Sequence, residues 1–300
     1  MLRVHPSWIV RIGSTVPILL VLSIILMECY LYWTAYLLSS CFSESSVSRA
    51  FHAVIFHYFL LLVMLCYVRV ALTDPGYVTT ALLNKFSDAL PSAMENDDGD
   101  PQHLQKLPIC RKCNQPKPLR THHCSFCNKC VLKMDHHCPW VANCIGLCNY
   151  KFFLQFITYA LIAIVMLMEK LLTRFERSVW SLQRSKHIRD VMELSAFEFM
   201  AYVVAIAIGC SILLLFITHL YLIIYGFTTI ECHSITSHSR YSRGWKHNLS
   251  DVFGDRIFDW IFPTKHAPLE SDFIVSAIHS DRWNAGQHSD GLTDEEHSLL

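Results

Sequence analysis

The sequence predicts an α-helical integral membrane protein: four transmembrane helices, with a Cys/His-rich segment between the second and the third. Three observations carry that reading. The 300 residues are 52% hydrophobic and only 17% charged, where a soluble chain carries about a quarter charged residues. The apolar residues gather into four runs long enough to cross a bilayer core, which takes about 20 helical residues. And seven of the thirteen cysteines fall between Cys110 and Cys144, interleaved with four histidines. Disulfide frameworks do not need histidine and metal sites do, so metal in a reducing compartment is the reading. The net charge is zero, which gives the molecule no general attraction to nucleic acid.

The first two spans fall at about 16–38 and 53–72, the third and fourth at about 152–172 and 199–225. In lipid each must satisfy its own backbone hydrogen bonds, so each is read as a helix. Arg3 and Arg11 precede the first run as they would a signal peptide. But the run exceeds the 7–15 residues of a signal h-region and no A-x-A site follows, so it reads as a retained span. Four spans place residues 1–15, the loop 73–151 and the tail after 225 on one side. That side carries seventeen Lys and Arg against six on the other, so the Cys/His loop is expected in the cytosol. Short loops on the opposite, lumenal side would join the spans within each pair. Residues 86–105, with "MENDDGDP", read as a solvated linker, and 263–300 as a disordered tail. Near the end of the 226–262 segment, Phe253, Ile257, Trp260 and Ile261 share helical spacing. A short interfacial helix and a plain packed one fit equally. His57 and His219, each inside an apolar span, read as packed helix residues rather than ligands.

The metal arithmetic is informative but incomplete. Cys-x2-Cys pairs occur at Cys110/Cys113, Cys124/Cys127 and Cys127/Cys130. Two intervening residues let both thiolates of a tight turn reach one ion, and structural zinc wants four ligands. Two ions therefore want eight. The loop offers Cys110, Cys113, Cys124, Cys127, Cys130, Cys138, Cys144 and Cys148 with His122, His123, His136 and His137. Part of this inventory is free for other work. Cys138 is the one cysteine directly preceded by an acid and two histidines. A histidine can take a thiol proton, and a carboxylate can orient that histidine. Asp135, His136 and Cys138 thus form a possible acid–base–nucleophile set, while spacing alone leaves Cys138 open as a further ligand.

The segment from Cys110 to Phe153 closely resembles the cysteine-rich domain of the DHHC family of protein S-acyltransferases (palmitoyltransferases). The likeness runs through "CRKC", "KPLRTHHC", "SFCNKC", "MDHHCPW", "NCIG" and "NYKFF". It extends to "DPG" at Asp74–Gly76 after the second span and to "TTIE" at Thr228–Glu231 after the fourth. Beyond these, "YSRGWKHNLSDVFG" matches a C-terminal motif, with Tyr241, Gly244, Asn248, Val252, Phe253 and Gly254 in register.

That resemblance implies two structural zinc ions. By motif position Cys110, Cys113, His123 and Cys130 would hold one; Cys124, Cys127, His137 and Cys144 would hold the other. Cys138 is then free to carry an acyl group, activated by His136 and Asp135, and Cys148, outside the required positions, reads as a filler rather than a modification site. The implied reaction takes a fatty acyl group from acyl-CoA, palmitoyl-CoA above all, onto Cys138. It then passes the group to cysteine thiols of proteins at the cytosolic membrane face. Lys117, Arg120 and Lys133 would meet CoA phosphates, Trp140 would line the mouth of the site, and Thr228, Thr229 and Asn248 would brace it. Membrane lipids are the surrounding partner, and an endomembrane address, Golgi or ER, is the family expectation. A competing function is a membrane-anchored zinc adaptor or RING-like ubiquitin ligase, which leaves Asp135, His136 and "TTIE" unused. A nucleic-acid finger would want a recognition helix between ligand pairs, and these gaps are too short for one.

Overall fold

A computed structural model describes residues 7–38, 45–84, 108–182, 188–232 and 241–264. The chain forms α1 (Ser7–Tyr32, continued by a π-helical turn Trp33–Leu37), α2 (Ser46–Leu72), α3 (Tyr150–Leu182) and α4 (Ile188–Tyr225). Within them the stretches Thr15–Leu37, Ser46–Leu72, Tyr150–Arg177 and Phe199–Tyr225 are long and apolar enough to cross a membrane. The protein is a multi-pass membrane protein on that evidence of length and composition. Exposed Leu26, Val54, Leu61 and Leu214 stud the outer faces of the helices, as lipid-facing positions should. All four helices run past the apolar stretches read from sequence: α1 starts at Ser7, α2 at Ser46, capped by the Ser45 hydroxyl, and α3 and α4 extend to Leu182 and back to Ile188. Hydropathy reports bilayer thickness, whereas a helix continues for as long as its backbone bonds do. The linker at 86–105 and most of the tail lie outside the described residues.

α3 lies between α2 and α4 and packs against both. Two apolar layers stack along this contact. One joins Tyr67, Val70, Phe152, Phe153, Ile157 and Ile223 with Cys138 and Val141 of the Cys/His loop. The next joins Ile25, Leu62, Val63, Cys66, Tyr159 and Ala160. Ala160 and Ala163 are buried, Ala163 beside Tyr32, Tyr36 and Phe56.

The loop between α2 and α3 is three small antiparallel hairpins, β1–β2 (Ile109–Cys110, Gln115–Pro116), β3–β4 (His122–Cys124, Lys129–Val131) and β5–β6 (His136–Cys138, Asn143–Ile145). Strands of two or three residues cannot bury a core, so something else must hold them. Part of the answer is α2. Asn143 donates through Nδ2 to the carbonyls of Val70, Ala71 and Thr73 at 2.9–3.2 Å. Asn149 donates to Val70 and Cys144. The last carbonyls of a helix have no partner within it, and these two amides supply one. Gly146 closes the strap: a Cβ there would meet the Pro75 carbonyl at 2.7 Å, so only glycine allows the Asp74–Gly76 turn to cross so closely.

After α4 come α5 (Thr229–Cys232), α6 (Trp245–Phe253) and α7 (Ile257–Ile261). The single helix expected through Phe253 and Ile261 is in fact two, because Gly254 takes φ +88° and ends the first. α7 lies along α3. Lys151, Gln155 and Tyr159, one helical turn apart, donate to carbonyls between Asp259 and Thr264. Ile257, Phe258 and Ile261 stay exposed.

Candidate active site

Two of the three hairpins bring metal-ligating side chains together by register. His123 pairs with Cys130 across β3–β4, and His137 with Cys144 across β5–β6. The turns ahead of them present the Cys-x2-Cys pairs, closed by Asn114 and Asn128 at positive φ. Cys110, Cys113, His123 and Cys130 converge, and so do Cys124, Cys127, His137 and Cys144, each set with all four ligating atoms within 4.8 Å of one another. His123 Nδ1 lies 3.7, 3.1 and 3.9 Å from the three sulfurs of its set. His137 Nδ1 lies 3.7, 3.5 and 3.6 Å from those of the other. A tetrahedral zinc with Zn–S near 2.3 Å and Zn–N near 2.0 Å puts its ligands about 3.5–3.8 Å apart, so both sets fit zinc. The β3–β4 hairpin supplies ligands to both, which locks the hairpins to one another.

Cys138 belongs to neither set. It ends β5 opposite Asn143, the residue clamped to α2, and is 5% exposed on the apolar layer. The Tyr67 hydroxyl donates to the Trp140 carbonyl at 3.0 Å, fixing the turn Pro139–Val141 that follows the thiol. His136 Nδ1 sits 2.6 Å from Asp135 Oδ2, and the Cys138 thiol is near enough to add to the upward shift of the imidazole. Burial alone would push His136 down. The Asp135 and Cys138 contacts outweigh it and raise the group to about 9. Asp135 is itself buried, yet its bonds to His136 and Thr229 hold it below the usual carboxylate range. The arrangement can deprotonate a thiol and hold the resulting imidazolium in place.

The segment after α4 completes the site. Thr228 and Glu231 form a capping box at the start of α5, with Glu231 accepting from the Thr228 N–H and Thr228 Oγ1 from the Glu231 N–H. Between them Thr229 donates its N–H and its hydroxyl to the two oxygens of Asp135. Arg120 grips Glu231 through Nε and Nη2 at 2.7 and 2.6 Å, donates to the Gly226 carbonyl and stacks over Tyr241. Asn248 ties the Ile224 carbonyl to Ser242 and Arg243.

The expected phosphate-binding residues separate. Arg120 and Lys133 line a cleft with Asp135, Tyr150, Thr228, Asn248 and Asp251, and Lys117 and Trp140 lie outside that lining. The Arg120 charge is already paired with Glu231, which its position in the sequence gave no sign of. Cys148 packs at the edge of an apolar cluster with Val78, Leu82 and Leu132. His57 packs in the bundle, where it accepts from the Trp33 indole. His219 is packed within its helix as expected, and in addition its ring lies 5.9 Å from that of His136, so that it groups with Asp135 and His136. No local signal marks it; a lone histidine in an apolar helix looks the same whatever it faces.

Comparison with known proteins agrees with this architecture. The model of the family described as DHHC palmitoyltransferase matches residues 103–235. The chain is 34% identical over 222 residues to the Arabidopsis thaliana "Probable protein S-acyltransferase 14", covering 70% of each chain. It is 30% identical over 281 residues to the Homo sapiens "Palmitoyltransferase ZDHHC20", covering 84% of this chain and 74% of that one.

Proposed function

The chain belongs to the DHHC palmitoyltransferase family and is a protein-cysteine S-acyltransferase, and from that premise we propose that Cys138 is its acyl carrier, loaded from fatty acyl-CoA. The observation that carries the proposal is that two complete Cys3His sets leave Cys138 outside, and that of the two loop cysteines left over, Cys138 and Cys148, it is the one beside the Asp135–His136 pair.

In the first step His136 accepts the Cys138 thiol proton, and the thiolate attacks the thioester carbonyl carbon. The bond to CoA sulfur breaks, and the departing thiolate takes the proton from the imidazolium. In the second step the acceptor cysteine gives its proton to His136 and attacks the acyl-enzyme, and Cys138 leaves as thiolate and is reprotonated. One thioester replaces another in each step, so the gain must come from thiolate activation and positioning. Asp135 orients His136 and stabilises its charged form; Thr229 orients Asp135. The two Cys3His sets would each hold a zinc ion with four protein ligands, which would supply shape rather than an activated water.

The apolar layers beneath Cys138 suit a fatty chain, each buried CH2 of which contributes about 0.8 kcal/mol. Lys133 in the cleft, assisted by Lys117 and Trp140 outside it, is assigned to the CoA phosphates and nucleotide. Arg120 serves the site through Glu231. Acceptors are cysteines of proteins at the membrane surface on the side of the Cys/His loop, a side for which the distribution of Lys and Arg supports a cytosolic assignment, in an endomembrane such as Golgi or ER.

The test is direct. Purified protein is incubated with labelled palmitoyl-CoA and compared with Cys138→Ser. A hydroxylamine-sensitive label on the wild type alone supports the reading. No label on the wild type, or equal label on the variant, overturns it.

A further inference from the structure

We propose that His219, its ring set by the Tyr150 hydroxyl, is a positioning residue that supports the Asp135–His136 pair from the side of the transmembrane helices. The proposal rests on Cys138 and His136 acting as nucleophile and base, and adds a member to that set which neither motif nor spacing marks.

His219 is 2% exposed, within the apolar span of α4 and six residues before its end. A buried imidazole without partners is costly, and a plain packing position would be filled more cheaply by leucine or phenylalanine. This one has partners on each side. The Tyr150 hydroxyl lies 3.0 Å from Nδ1. With the phenol donating, Nδ1 is an acceptor and the ring proton sits on Nε2. The side chain is then a neutral dipole rather than a second cation beside His136. Polar atoms of Asp135, His136 and His219 lie within 4.8 Å of one another. The Phe153 ring presents to both imidazoles at 73°, with centroids 5.4 Å from His136 and 4.9 Å from His219. Phe153 and His219 together limit the swing of the His136 ring, whose other restraints are Asp135 and the thiol.

The same three residues resemble a metal site in composition, and the hydrogen bonds argue otherwise. Asp135 already accepts from Thr229 at both oxygens and from His136 at one, and His219 Nδ1 is taken by Tyr150. The cluster is built as a hydrogen-bonded network around one carboxylate.

The experiment uses the full-length, zinc-loaded protein and follows single-turnover acylation of Cys138 by palmitoyl-CoA, with zinc content and Tm for each variant. His219→Phe keeps an aromatic ring and loses the nitrogens. Its acylation rate constant is expected to fall about tenfold, with KM for palmitoyl-CoA within twofold of wild type and two zincs retained. His219→Gln, which can still accept from Tyr150 and donate onward, should recover most of the rate. Tyr150→Phe should reproduce the defect, and the double variant Tyr150→Phe/His219→Phe should be no slower than His219→Phe alone. Wild-type rates in His219→Phe or Tyr150→Phe overturn the proposal. So does a rise in KM at an unchanged rate constant, or a Gln variant as slow as Phe. A third zinc in the wild type that His219→Gln lacks would mean metal binding, and would overturn it too. If His219→Phe fails to fold, Tyr150→Phe and His219→Gln decide by the same criteria. Failure of the wild type itself to label indicts the assignment of Cys138 and is thus told apart from failure of this inference.

Discussion

Thr229 holds Asp135 with both of its donors: the backbone N–H reaches Oδ1 at 2.9 Å and the hydroxyl reaches Oδ2 at 2.7 Å. The carboxylate that orients His136 is thus itself oriented by a residue from beyond the last span. A hydrogen bond to a charged group contributes about 1.5–3 kcal/mol. Thr229→Val keeps the shape and the backbone bond but removes the hydroxyl. Acylation of Cys138 should slow by about 10- to 100-fold, and Thr229→Ser should stay near wild type. A Val variant that acylates at the wild-type rate would show that Asp135 does not depend on this bond.

Arg120 and Glu231 join the Cys/His loop to the same segment, with side chains only 5% and 16% exposed. Removing one member of a buried pair leaves an uncompensated charge and costs about 3–5 kcal/mol. Glu231→Gln and Arg120→Gln should each lower Tm markedly and each depress acylation, since α5 and Thr229 lose their anchor. The double variant should be less damaged than the two single losses added together, because no charge is then stranded. Strict additivity of the Tm changes would mean that the two side chains act independently.

How much of this was legible follows from which forces act locally. The spans stand out because a bilayer demands a long apolar run, and the Cys-x2-Cys turns because two thiolates of one turn share an ion. Asp135, His136 and Cys138 are neighbours in the chain, so their chemistry could be read before their geometry. Helix ends could not be: α2 begins at Ser46 and α4 at Ile188, well outside the apolar windows. The pairing of Arg120 with Glu231 spans 111 residues, and a lone basic residue in a loop reads equally as phosphate binder or buried anchor. His219 meets Tyr150 across 69 residues. Only the packing of α3 beside α4 makes that contact, and no periodicity encodes it.

The two Cys3His sets interlock through β3–β4, which makes the zinc sites interdependent. Cys113→Ala removes a ligand from the first set only. Because hairpins this short have little core of their own, it should lower zinc content, reduce Tm and abolish acylation together. Cys138→Ser should retain two zincs per chain while carrying no acyl group. Metal analysis of the purified variants checks both. A Cys138→Ser protein with one zinc would make Cys138 a ligand and require a different nucleophile.

Lys133 offers the clearest pH signature in the cleft. It takes φ +42° and shares the cleft lining with Arg120, Asp135 and Asp251. Burial first, and then the nearby Arg120 charge, push its amine down to about 8. The group is charged below that value and neutral above it, so any attraction it offers to CoA phosphates is present at pH 7 and fades as pH rises through about 8. Because kcat/KM reports groups of the free enzyme, kcat/KM for palmitoyl-CoA should fall severalfold between pH 7 and 9. Lys133→Arg keeps its charge throughout this range and should remove that step from the profile. Lys133→Met should sit at the low plateau at both ends. If the Arg variant falls with pH as the wild type does, some other group is titrating and Lys133 does not meet the phosphates.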